Sequence, residues 1–349
     1  MKKILASVLV CMMAASMLTG CGGDSSTNTS TSTGGDTSTS TSNQQTQEDP
    51  FEIVIATGNV PEHCTTKGYQ KMIDVVNAES NGRIVFDLKH SGQLGAQRDY
   101  IEGMQMGTIQ MGEVNTAVLT SLDENFVIFD LPYLIKDMDT CIEVLNSGIG
   151  DKLSQSLEEK ANLCVVGWQV FIPRSVYSAK APINTPEDLV GLKIRTQEAP
   201  AIIKAFELLG AKPTPIPSNE KYMALQTGVV DAAENSPSVV LYQKDYEVTK
   251  YLSYTEHQCA PNAMVMDANF FNSMPEDLQA LMLKGGKEGG ALASQIEKDE
   301  LADIEKQLVD LGMVINEVED KQAFIDIVKP VYDEYKDKID PEIFEAFSK

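Results

Sequence analysis

Residues 192–235, LKIRTQEAPAIIKAFELLGAKPTPIPSNEKYMALQTGVVDAAEN, carry the alternation that decides the fold. Leu192-Lys193-Ile194-Arg195 alternates apolar and polar residues, the period of a strand. Pro200 then opens a helix that Gly210 closes: proline lacks the N–H that a first helical turn leaves unpaired, and glycine accommodates the left-handed cap. KPTPIP (212–217) is an extended, proline-rich step. SNEKYMALQTG (218–228) reads as a second helix with Ser218 as N-cap and Gly228 as terminator, and VVDAAENS (229–236) as a strand running into a polar corner. Strand, helix, strand, helix, strand predicts an α/β architecture rather than a bundle or a sandwich.

The same alternation extends toward both ends. FEIVIATG (51–58) is a β-branched run typical of a buried strand, followed by a helix over about 65–80 with apolar residues at 69, 72, 73, 75 and 76. NGRIVFDLKH (81–90) is a turn and a strand, LGAQRDYIEGMQMGTI (94–109) an amphipathic helix ending near Gly107, and QMGEV (110–114) an extended segment. A second series starts near residue 140: a helical stretch to Ala161, strands in NLCVVGWQVF (162–171) and RSVYSA (174–179), and a short helix in TPEDLVG with Thr185 and Asp188 at capping-box positions. The tail, about 274–349, is mostly helical with charged faces, and there are no internal repeats. Strand ends that finish in polar residues, here Arg195 and Glu234-Asn235, are where open α/β sheets place ligands.

The chain of 349 residues has 42% hydrophobic residues and a formal net charge of −23, which argues against nucleic acid or anionic lipid as a partner. MKK and the apolar run after it have the form of a signal segment too short to remain as a membrane span. Leu18-Thr19-Gly20-Cys21 resembles the bacterial lipobox, so residues 1–20 are expected to be removed and Cys21 to carry lipid. The Gly/Ser/Thr-rich tract that follows cannot bury a core and is expected, over 21–50, to act as a flexible tether. Cys64, Cys141, Cys164 and Cys259 lack metal-type spacing and allow three disulfide pairings or none.

Enzyme motifs are missing: no nucleophile elbow, phosphate loop, dinucleotide fingerprint or zinc-protease helix occurs. His63, His90 and His257 are isolated, and neither a cofactor nor a metal site is expected. The arginines say more. Only four stand beside 24 lysines. Arg83, in a turn, and Arg98, on a polar helix face, read as solvated surface. Arg174 and Arg195 sit at strand edges in the least charged part of the chain. A guanidinium offers a planar fork of donors that matches a carboxylate. Spacing alone leaves open whether that carboxylate belongs to a ligand or to one of 51 acidic residues.

From Lys89 to about His257 the chain resembles the solute-binding proteins of tripartite ATP-independent periplasmic (TRAP) transporters. The matching pieces, in the family's order and spacing, are HSGQLGAQRDYIEGMQMGTIQM, VIFDLPYLIKD, APINTPEDLVGLKIRTQ, LLGAKPTPIPSNEKYMALQTGVVDAAENSP and YQKDYEVTKYLSYTEH, and a weaker match covers nearly the whole mature chain. The resemblance implies a two-lobed, periplasmic-binding-protein-like (Venus flytrap) fold with an inter-lobe cleft and a long helix shared by both lobes. Approximate bounds are 51–172 with 261–300 for lobe I, and 173–260 with 301–349 for lobe II. It implies that Arg195 forms the salt bridge to a ligand carboxylate, with Arg174 assisting and Asn235, Asn115 and His257 as further contacts. Gln197, Glu198, Ser218 and His63 complete the candidate set. Ser218-Asn219 replaces an aromatic of many relatives, and Glu198 stands where some have a neutral side chain. Together these departures favour a polyhydroxylated monocarboxylate such as a hexuronate over succinate-like acids. The implied function is an extracytoplasmic, lipid-anchored receptor, a monomer that delivers its ligand to the small and large TRAP membrane subunits. An ABC-type or sensory binding lipoprotein, or a surface enzyme acting on saccharides, would be the alternatives.

Overall fold

A computed structural model describes residues 49–349. The signal segment, Cys21 and nearly all of the tether lie outside the described residues. Two separate sheets organise the chain. The first contains β1 (Phe51–Ala56), β2 (Ile84–Lys89), β3 (Met111–Asn115), β4 (Leu163–Gln169) and β10 (Asn262–Asp267), in the order β2-β1-β3-β10-β4. The second contains β5 (Arg174–Ser178), β6 (Lys193–Thr196), β7 (Lys212–Pro215), β8 (Ala232–Asn235), β9 (Tyr251–Gln258) and β11 (Val314–Glu317), in the order β11-β9-β5-β8-β6-β7. The chain passes between the sheets at 170–173 and back at 259–261. In each sheet one strand, β10 in the first and β5 in the second, runs antiparallel to both of its neighbours, while the other strands run parallel to one another. This is the α/β architecture that the alternation predicts, in the two-lobed form that the resemblance implies.

Each sheet has its own apolar core. Ile53, Ile55, Tyr69, Met72, Met264 and Met282 pack on the first, and Tyr177, Ala233, Leu252, Ile304 and Leu308 on the second. A third cluster runs between them through Phe126, Phe129 and Phe206 and is completed by Val331 and Phe347 of the tail. The tail touches both lobes: the helices Lys321–Val328 and Pro330–Tyr335 pack on the helix Pro200–Leu208, while Phe347, in the helix Pro341–Phe347, meets Phe129 edge to face at 5.3 Å.

The long helix expected to serve both lobes is Glu276–Asp299, continued after a break at Glu300 by Leu301–Asp310. The first part lies on β4 and on the helix Cys64–Glu79; the second buries Ile304 and Leu308 in the second core. Gly285, Gly286, Gly289 and Gly290 interrupt the first part, although a glycine inside a helix costs about 1 kcal/mol relative to alanine. The reason is close approach. A Cβ on Gly286 would stand 2.0 Å from the Val166 carbonyl oxygen, and one on Gly290 would stand 2.1 Å from that of Trp168. Gly286→Ala, stabilising in an ordinary helix, is expected to lower stability by about 1–3 kcal/mol through overpacking, measurable as a lowered midpoint in urea unfolding.

One local expectation changes. Ser218 is not a helix cap: it opens a single 3-10 turn, Ser218–Glu220, behind Pro217, and the helix proper is Lys221–Gln226. Proline at 217 fixes an extended entry, and the seryl hydroxyl is left over. The four cysteines are all buried and free. Thr185 and Asp188 do form the capping box of Pro186–Leu189, and Gly210 and Gly228 take the positive φ that ends their helices.

Candidate ligand-binding cleft

β6 and β8 run parallel, and β5 runs antiparallel to β8 with Ser175 opposite Asn235. The end of β6, the end of β8 and the start of β5 therefore meet at one edge of the second sheet. That edge carries Arg195, Glu234-Asn235 and Arg174. In the first sheet Asn262, opening β10, pairs with Asn115, closing β3. The two polar edges bound a cleft of about 430 Å³, large enough for a small sugar or organic acid.

The electrostatics of the second edge centre on Glu234, fully buried. Arg174 grips it with a fork: Nε donates to Oε2 and Nη2 donates to Oε1 at 2.9 Å, while Nη2 also reaches the Glu234 carbonyl at 2.7 Å. Nη1 of Arg174 donates to Asn235 Oδ1 at 2.9 Å, and that oxygen also accepts from the Ser236 N–H at 2.9 Å. The orientation of the Asn235 amide is thereby fixed, with its Nδ2 directed away from this network. Burial raises the Glu234 carboxyl, but Arg174 and His257 outweigh it and hold it at about 2. His257 is itself lowered by burial against the pull of Glu234, and at 3.6 Å its Nε2 contact is electrostatic rather than a hydrogen bond.

Arg195 is 2% exposed yet under-used. Its Nε donates to the Ile216 carbonyl at 2.7 Å, Nη1 has no partner, and the nearest Glu234 oxygen is 3.9 Å from Nη1. Two arginines thus share one carboxylate, with Lys221 paired to Asp245 behind them. Arg174, Glu234 and Arg195 together carry one net positive charge. Leaving a buried guanidinium donor unmade is costly, so the arrangement is built to receive an anion. Two other cleft residues hold unpartnered buried atoms, Gln197 Oε1 and His63 Nε2. His63 Nδ1 accepts from the Thr65 N–H at 3.2 Å, which places the single proton of the neutral ring on Nε2. Burial and then Lys67 lower this ring to about 3, so it remains neutral.

Of the nine expected contacts, Arg195, Arg174, Asn235, Asn115, Gln197, Glu198, Ser218 and His63 line one cleft. His257 does not. It lies behind Glu234, its Nδ1 2.8 Å from Thr255 Oγ1 and its ring edge-on to Phe206. The strand that carries it turns the side chain into the core, a matter of pairing register that a motif end does not reveal. Asn115 lines the wall with its groups committed: Nδ2 donates to Asn262 Oδ1 at 2.8 Å and to the Ala260 carbonyl at 3.3 Å, and Oδ1 caps the Ala117 N–H. Glu198 and Arg98 also change meaning. Arg98 is not simply solvated: its Nε donates to Glu198 Oε2 at 2.7 Å, joining the helix Gln97–Gln105 of the first lobe to the loop after β6 of the second. Glu234 is one residue that the candidate set omits. A charged side chain directly after two alanines, at the polar end of a strand, is the available signal.

Two sheets, each with its own core, and a cleft between their polar edges with two arginines on one side define a two-lobed solute receptor. The chain belongs to the bacterial extracellular solute-binding proteins of family 7 (DctP), whose pattern matches residues 55–338. It is 34% identical over 280 residues to a solute-binding protein of Sulfitobacter sp. strain NAS-14.1, covering 80% of this chain and 84% of that one. To the C4-dicarboxylate-binding periplasmic protein DctP of Rhodobacter capsulatus it is 29% identical, covering 85% and 90%. Its fold matches a TRAP periplasmic solute-binding protein of Sulfitobacter sp. NAS-14.1 with bound β-D-galacturonate (TM-score 0.80, 28% identity, 85% and 98% covered). It also matches one of Roseobacter denitrificans with bound β-D-glucuronate (TM-score 0.81, 26% identity, 85% and 99% covered). The chain is thus an extracytoplasmic solute receptor of the TRAP type.

Proposed function

We propose that this receptor binds a hexuronate, held to the outer face of the membrane by lipid on Cys21, and delivers it to the small and large TRAP membrane subunits. The unpartnered Nη1 of buried Arg195 carries this reading. A ligand carboxylate there completes the guanidinium and brings the Arg174–Glu234–Arg195 edge to neutrality, which offsets the desolvation of the ion pair. Gln197 Oε1 accepts from a hydroxyl, and His63 Nε2 donates to a ring or hydroxyl oxygen. A hexuronate supplies one carboxylate and several hydroxyls, and the galacturonate and glucuronate held by the similar structures have that chemistry.

Lobe I takes 51–172 and 261–300, and lobe II takes 173–260 with 301–349, the tail helix spanning both. The lobes hinge at 170–173, at 259–261 and at the helix break by Glu300, and ligand binding shifts an open–closed equilibrium toward the closed form. The closed receptor is a monomer that presents both lobes to the membrane subunits and returns its ligand chemically unchanged.

The test is a thermal-shift and calorimetric screen of residues 50–349 against D-galacturonate, D-glucuronate, succinate and L-malate. Saturable binding of a uronate is expected, with the ligand recovered intact. Binding of none of these acids, or turnover of the bound one, overturns the reading. Closure also makes Arg98–Glu198 a latch across the cleft mouth. Both side chains are partly exposed, so the pair is worth at most about 1 kcal/mol. Arg98→Ala is expected to weaken uronate binding by up to about fivefold at low salt and by less at high salt, read by calorimetry at two ionic strengths.

A further inference from the structure

The wall of the cleft contributed by the first sheet holds a carboxylate that the binding scheme above leaves without a role. Glu113, on β3, is 3% exposed and lines the cleft between Asn59 and Asn262. Its Oε1 accepts from Asn59 Nδ2 at 2.9 Å and from Asn262 Nδ2 at 2.5 Å, and its Oε2 accepts from Asn59 Nδ2 at 3.0 Å and from the Thr57 hydroxyl. Among the described residues no lysine or arginine pairs with it. Burial raises its carboxyl above the usual range, and the bonds from Thr57 and Asn59 and from the Gly58 N–H oppose that rise. The cleft therefore has two unlike ends. At the second-lobe edge Arg174, Glu234 and Arg195 together leave one positive charge in excess, and the first-lobe wall carries a carboxylate with no counter-ion among the described residues.

Glu113 also orders its neighbours. Because the Nδ2 groups of Asn59 and Asn262 both point at it, the amide orientations of both are set, and Asn59 Oδ1 is left as an acceptor for the cleft. Asn262 Oδ1 is taken by Asn115, so the chain Asn115 to Asn262 to Glu113 is a fixed row of donors and acceptors. This wall suits hydroxyl groups. A second carboxylate seated there would meet a like charge in a partly dry site, where charges interact more strongly than in water.

We infer that Glu113 is a specificity-determining residue of this cleft: it rejects a second carboxylate and, with Asn59, receives the hydroxyl-bearing end of a monocarboxylate. The inference rests on the reading that Arg195 takes the first carboxylate. It assigns to Glu113 the acidic role that the sequence suggested for Glu198, which is engaged with Arg98.

Affinities for D-glucuronate, D-galacturonate, succinate, L-malate and D-glucarate are measured by calorimetry on wild type and Glu113→Gln, with thermal unfolding as the folding control. Wild type is expected to prefer a uronate over every dicarboxylate by 100-fold or more. Glu113→Gln is expected to narrow that ratio at least tenfold, mainly by gaining affinity for the dicarboxylates. Asn59→Lys, which places a cation beside an unaltered Glu113, should narrow it in the same sense and serves if Glu113→Gln does not fold. Wild type binding a dicarboxylate as tightly as a uronate overturns the inference, as does a ratio unchanged in the folded variant. If wild type binds no uronate at all, the receptor reading fails first; if it binds one and the ratio stays fixed, only the assignment of Glu113 fails.

Discussion

Arg195→Lys is expected to lose about two orders of magnitude in affinity for a uronate and most of its ligand-induced thermal shift, while the unliganded protein still folds. Lysine keeps the positive charge, so net charge at the cleft edge does not change. What disappears is geometry. Arg195 uses Nε to hold Ile216 at 2.7 Å and leaves Nη1 for the ligand, a division of labour that needs separate donors on one rigid plane. A single ammonium cannot reach both positions. Losing a desolvated, charge-assisted contact costs about 2–5 kcal/mol, and about 1.4 kcal/mol is a factor of ten. Calorimetry with D-galacturonate and D-glucuronate measures the loss. Equal affinity in wild type and variant would remove Arg195 from the site.

Glu234→Gln is expected to produce the largest loss of stability among single substitutions in the cleft, about 3–5 kcal/mol, because it leaves Arg174 and Arg195 buried without their shared counter-ion. The effect has a pH signature of definite sign. The folded-state carboxyl, held at about 2 against a usual 4.5, is depressed, so its stabilisation is fully present above about pH 4.5 and is lost as pH falls toward 2. The stability gap between wild type and variant, from urea unfolding at a series of pH values, should therefore be constant near neutrality and shrink in acid. A gap independent of pH across that window would mean that Glu234 supports the edge by packing alone. A gap near zero at pH 7 would mean that the two arginines need no protein counter-ion.

These two residues also mark how far sequence reading reaches. Arg195 stands out because arginine is rare in this chain and because the residue closes a short alternating strand just before a helix-opening proline; its pairing with a ligand carboxylate is what the family resemblance implies. Gln197 and Glu198 stand beside it in the chain, Glu198 and Ser218 are departures from the family's pattern, and all three line the cleft. Glu234 was in view as part of a polar strand end but could not be weighed, since with 51 acidic residues an individual carboxylate carries little information until its neighbours are known. Glu113 was hidden more deeply. It sits in an extended segment, and the side chains that single it out, Thr57, Asn59 and Asn262, lie as much as 149 residues away in the chain.

The sequence by itself determined the α/β alternation, the helix ends at Gly210 and Gly228, and the capping box at Thr185 and Asp188. All of these depend on interactions within a few residues, which local periodicity and side-chain chemistry record. Only the tertiary structure decided which charges share a site. It placed His257 behind Glu234 instead of in the cleft, joined Arg98 to Glu198 across the mouth, turned Gly286 and Gly290 into contact points for β4 backbone, and left Glu113 without a cation among the described residues. Charge pairing inside a protein depends on strand register and burial, and those are properties of segments distant in the chain brought within a few ångströms of one another.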